Sequence, residues 1–112
     1  MWESIIKKLE TSSTLKSRTG TEYKIKSFDS KGFTLSRMTS TSTVRITRRR
    51  VEDTEKRLRA GEALKFQRNK SQGGISYTVA EEAGVVWALE EIIDIDTANR
   101  VYKFSINQGV EQ

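Results

Sequence analysis

The stretch from Glu22 to Ile46, EYKIKSFDSKGFTLSRMTSTSTVRI, decides the fold of this chain. Glu22-Tyr23-Lys24-Ile25-Lys26 alternates polar and apolar residues, the pattern of a strand with one buried face. Asp29-Ser30-Lys31-Gly32 is a tight-turn sequence, with a glycine at its end that tolerates unusual backbone angles. Phe33-Thr34-Leu35-Ser36 alternates again. Thr39-Ser40-Thr41-Ser42 is a polar loop, and Val44-Arg45-Ile46 alternates once more. Short strands in succession, joined by short turns, predict an antiparallel meander of three or four strands.

Upstream, Thr14 to Arg18 reads as extended and Thr19-Gly20 as a turn. Trp2, Ile5, Ile6 and Leu9 stand at helical spacing, so a short helix is expected over 2–10, too short to be stable without docking. Downstream, Thr47 is placed to cap a helix over 48–60, with Val51, Thr54 and Leu58 as a thin apolar stripe and Gly61 as its stop. Ala63-Leu64-Lys65-Phe66 is a short apolar piece whose type the pattern does not decide, and Gln67 to Ser76 reads as a loop. A second main helix is expected over about 79–91, capped by Thr78, with Val79, Ala83, Val86 and Trp87 tracing its buried face and Trp87 as its largest anchor. Gly84 is an anomaly inside that run. The β-branched and aromatic residues of 92–106 around Thr97-Ala98-Asn99-Arg100 predict a C-terminal hairpin. The fold class is therefore α+β: a meander with two main helices on one face, a short N-terminal helix and a C-terminal hairpin. The pattern predicts one domain over 1–106 and a frayed tail over 107–112.

Composition narrows the chemistry. The 112 residues include no cysteine and no histidine. Disulfides, thiolate ligands, histidine-ligated zinc and serine–histidine triads are excluded. Proline is absent too, where average usage is about 5%. The N-terminus lacks the apolar core of a secretory signal, and no stretch approaches the ~18 apolar residues of a membrane helix. The expected address is the cytoplasm.

The net charge of +5 is distributed unevenly: residues 44–70 carry 10 basic and 4 acidic side chains, while 71–112 carry 2 basic and 7 acidic. Val44-Arg45-Ile46-Thr47-Arg48-Arg49-Arg50 puts three arginines at the start of a helix, the end that already bears partial positive charge. An anion bound there would resolve the conflict, meeting backbone N–H groups and guanidinium forks together. The competing reading is weak surface pairing of these arginines with Glu52, Asp53 and Glu55. Arg68-Asn69-Lys70-Ser71-Gln72-Gly73-Gly74 adds a basic, glycine-containing loop without P-loop spacing. Together these features suggest one phosphate-attracting patch, with Arg45, Arg48, Arg49, Arg50, Arg68 and Lys70 as donors and Lys56, Arg57 and Arg59 extending it. Tyr23, Phe28, Phe33 and Phe66 are candidates for a stacking platform, although a chain this poor in large apolar residues needs most of them for its core.

The acidic run Glu81, Glu82, Glu90, Glu91, Asp94 and Asp96 reads as solvated surface, or as a counter-surface that meets a basic patch on another copy or on its own. Glu22-Tyr23-Lys24 has the E-x-K spacing of metal-dependent nucleases, but the acids upstream of it, Glu3 and Glu10, belong to the expected N-terminal helix. No metal, cofactor or catalytic residue is assigned. The expectation is a non-catalytic nucleic-acid-binding domain; the alternative is a protein-interaction or self-assembling module with complementary basic and acidic surfaces.

Overall fold

The computed structural model describes residues 2–67, 75, 76 and 78–105. The meander forms as the alternation predicts. Strands β1 (Thr14–Lys16), β2 (Glu22–Asp29), β3 (Gly32–Arg37) and β4 (Thr43–Thr47) pair antiparallel in the order β1-β2-β3-β4. Around it lie α1 (Trp2–Thr11), α2 (Arg48–Arg59) and α3 (Val79–Leu89), and the C-terminal hairpin is β7 (Ile93–Asp96) with β8 (Val101–Phe104). One core joins them all. Leu15, Tyr23, Phe33, Leu35 and Ile46 from the sheet meet Trp2, Ile5 and Leu9 of α1, Val51 and Leu58 of α2, Val85 and Leu89 of α3, and Tyr102 of β8.

Strand β2 runs three residues beyond the alternating stretch, and a bulge makes this possible. Ile25 pairs with Leu35 and Ser27 with Thr34, leaving Lys26 as the extra residue. Strict alternation would put Phe28 on the same face as Lys24. The bulge shifts the phase by one, so that Phe28 pairs with Phe33, which in turn pairs with Ile46, on the core side.

Helix α2 follows its sequence signals closely. The Thr47 hydroxyl accepts from the Arg50 N–H at 3.1 Å, Val51, Thr54 and Leu58 are buried, and Gly61 takes φ 93° just past the end. The stripe includes a threonine because its hydroxyl has a local partner: Thr54 Oγ1 donates to the Arg50 carbonyl at 2.8 Å.

Helix α3 corrects the expected face. Thr78 caps it through a reciprocal capping box with Glu81, but the buried residues are Ala83, Gly84, Val85, Ala88 and Leu89. Val79 is 50% exposed, and Trp87 is only half-buried, lying edge-on to Phe33 at 5.9 Å. The run Ala83–Leu89 is apolar on every side, so its periodicity fits more than one face. Close approach to the sheet selects the face carrying Gly84. A Cβ there would stand 2.7 Å from Ile46 Cγ1 and 3.3 Å from Leu35 Cδ1, so the glycine is what lets the helix lie on β3 and β4.

The segment read as a loop over Gln67 to Ser76 is also corrected at its ends. β5 (Phe66–Gln67) and β6 (Ile75–Ser76) pair in parallel, and Leu64 forms an isolated bridge with Tyr102 that ties this connection to β8. No helix among the described residues is long and apolar enough to cross a membrane. The tail expected to fray over 107–112 lies outside the described residues.

Candidate nucleic-acid interface

The basic residues predicted together do not converge on one point. Arg45 leaves β4 on the open side of the sheet, where its Nη2 donates to both carboxylate oxygens of Asp29 at 2.8 and 3.0 Å and its Nη1 donates to Thr34 Oγ1 at 3.3 Å. Asp29 is held below the usual carboxylate range by the Lys31 N–H it accepts and then by Arg45. Arg48 turns the other way. Its Nε donates to Glu52 at 3.0 Å and its guanidinium sits 5.7 Å from the centre of the Trp2 ring. Both arginines tie elements together as well as presenting charge.

Arg49 and Arg50 take a third direction, into an open groove of about 720 Å³ that runs along α2. Lys56 and Arg57 reach the same groove from the next turns, and Asp53 and Glu62 are its acidic members. The helix puts them there: 49, 50, 53, 56 and 57 share one face at spacings of three and four, while Val51 and Leu58 take the opposite face into the core. In sequence Lys56 and Arg57 only extend the patch; their spacing from Arg49 and Arg50 is the signal that they belong with them. Among the described residues Arg49 and Lys56 make no ion pair. Arg57 meets Glu62 at 2.8 Å, and Arg50 stands 3.9 Å from Glu81. All four of these paired side chains are partly exposed, so each contact contributes about 0–1 kcal/mol and an incoming phosphate can displace it. Arg68 and Lys70 lie outside the described residues.

The aromatic platform does not form from the residues considered for it. Tyr23 and Phe33 are buried, Phe66 stacks on Tyr102 at 4.9 Å between ring centres, and of the four only Phe28, at 37%, counts as exposed.

The acidic residues largely have structural partners. Glu81 belongs to the capping box, Lys8 reaches Glu90 at 2.7 Å, and Asp96 is held down by Asn99 in the hairpin turn. Among the described residues no group of three acidic side chains gathers where a metal ion would sit. Glu82 accepts from the Tyr102 hydroxyl at 2.8 Å and pairs with Arg18 at 3.2 Å, joining α3, β8 and the turn after β1. Burial, and then this hydrogen bond, push the Tyr102 hydroxyl above its ordinary value of 10. The folded chain therefore keeps a proton that the unfolded chain releases above about pH 10. The stabilisation is complete below that pH and is lost as pH rises beyond it. Tyr102→Phe should cost about 1 kcal/mol at neutral pH and should flatten the fall in stability above pH 10. Urea titrations of both proteins at pH 8 and pH 11 read this; an equal fall in both would show that Tyr102 does not carry the dependence.

Comparison with protein families, with curated proteins and with solved structures finds no match to this chain.

Proposed function

We propose that this domain is a non-catalytic nucleic-acid-binding module that grips phosphates in the α2 groove, with Arg49, Arg50, Lys56 and Arg57 as donors. The observation that carries the proposal is the groove itself, in which one helix face presents four cations along its length and two of them, Arg49 and Lys56, are without an ion pair among the described residues. Its size and openness suit a chain of phosphates better than a single enclosed ligand. Contacts of this kind supply affinity and steep salt dependence with little sequence preference.

Fluorescence anisotropy of a labelled duplex at two salt concentrations tests the reading. Wild-type binding should weaken steeply as salt rises. Arg49→Glu with Lys56→Glu should weaken binding by about tenfold or more at low salt, because two donors become repulsive. Arg49 and Lys56 are exposed, so the circular dichroism spectrum should not change. Wild-type affinity in the double variant would overturn the proposal. Absence of binding, with a concentration-dependent oligomer by sedimentation, would favour a self-associating module built on complementary charge.

A further inference from the structure

We propose that the open face of the four-stranded sheet is a second phosphate-contacting surface, and that its ligand is the backbone of a nucleic-acid duplex. The inference rests on the proposed nucleic-acid function and extends it to a surface outside the α2 groove.

The register defines this face. Thr14, Lys24, Ser36 and Thr43 form one row across all four strands, and Ser27, Thr34 and Arg45 form another across β2, β3 and β4. Lys16 stands beside them on β1, opposite Glu22. Their neighbours in sequence, Leu15, Tyr23, Phe33, Leu35 and Ile46, are buried on the other side in the core shared with the helices. The open side therefore carries the Lys16 and Lys24 ammonium groups, the Arg45 guanidinium and the hydroxyls of Thr14, Ser27, Thr34 and Thr43, beside the Glu22 and Asp29 carboxylates, and no large apolar side chain in these rows; the Ser36 hydroxyl is buried and donates to the Arg37 carbonyl. A protein partner is met by a patch with an apolar or aromatic centre. Donors without such a centre are the chemistry that meets phosphate oxygens.

Two of the three cations in these rows are available, Arg45 being paired with Asp29. Lys16 and Lys24 are exposed, and among the described residues neither forms an ion pair. On α2, Arg48, Arg57 and Arg59 are held by Glu52, Glu62 and Glu55, and only part of the helix charge is available in the same way.

The aromatic residues favour a duplex over a single strand. Proteins that hold single strands stack bases on exposed rings. Here Tyr23 and Phe33 face the core, Phe66 lies on Tyr102, Phe104 lies beneath Arg59 at 5.0 Å, Trp87 lies between Phe33 and Lys8, and the exposed Phe28 stands with Phe33 on the other side of the sheet. A face of donors without rings reads the backbone and leaves the bases paired.

The full chain and the double variant Lys16→Ser, Lys24→Ser would be titrated against a labelled duplex and a single strand with the same number of phosphates, each at four salt concentrations. The wild type should bind the duplex more tightly. The variant should bind it more weakly and with a shallower salt dependence, the logarithmic slope falling by about one per lysine removed. An unchanged slope in this variant, with binding lost in Arg49→Glu, Lys56→Glu, would overturn the sheet-face inference and leave the groove standing. Tighter wild-type binding to the single strand would overturn the assignment of a duplex. No wild-type binding to either would remove both proposals.

Discussion

Phe33→Ala is expected to destabilise the domain by about 3–5 kcal/mol, a large part of the ~5–15 kcal/mol that holds a small domain folded. Phe33 is fully buried near the start of β3, between Phe28 on β2 and Ile46 on β4, and its ring meets the edge of Trp87 on α3. Truncation removes the transfer free energy of the ring and leaves a cavity where sheet and helix meet. Ile46 cannot close it, because it already lies against the backbone of α3 at Gly84. Trp87, deprived of its ring partner, should become more exposed. Chemical denaturation monitored by tryptophan fluorescence reads both effects. A loss below about 1 kcal/mol would mean that the core collapses into the space, and that the close fit of α3 on the sheet is not what orders it.

Gly32→Ala is expected to cost about 3 kcal/mol, although it adds a single methyl group. Gly32 pairs with Asp29 on one side and Thr47 on the other. A Cβ there would overlap the Ile46 carbonyl oxygen and come within 3.1 Å of Thr47 Cα. The obstacle is backbone, so no rotamer change relieves it; β3 and β4 must separate. They would separate where β4 hands over to α2, beside the 2.7 Å hydrogen bond from the Arg48 N–H to the Lys31 carbonyl. The melting temperature should drop by on the order of 10 °C. Under conditions where the variant remains folded, any affinity carried by Arg49 and Arg50 should fall with it, because their helix start is displaced. An unchanged melting midpoint would show that the strands absorb the methyl without moving apart.

What the sequence determined by itself is the meander, the three helices and the C-terminal hairpin, though not the far end of β2 or the short β5–β6 pair. Alternation over 22–26, 33–36 and 44–46, with Asp29–Gly32 between the first two, is enough for a meander, because side-chain period and turn chemistry are properties of neighbouring residues. Thr47 and Gly61 bracket α2, and Thr78 opens α3, for the same reason: caps act within four residues. The charge asymmetry was equally visible. Tertiary structure alone decided how these parts meet. The bulge at Lys26 carries Phe28 to the core side, where strict alternation would put it among the lysines. Gly84 chooses the buried face of α3, because Ile46 occupies the space its side chain would need. Tertiary contacts also divide the arginines that the sequence had grouped. Arg45 goes to Asp29, sixteen residues away, and Arg48 to Glu52 and the Trp2 ring, while Arg49 and Arg50 turn to the groove. Charge is a property of composition and can be counted in any order, but the direction of a guanidinium depends on which carboxylate or ring the folded chain brings within reach.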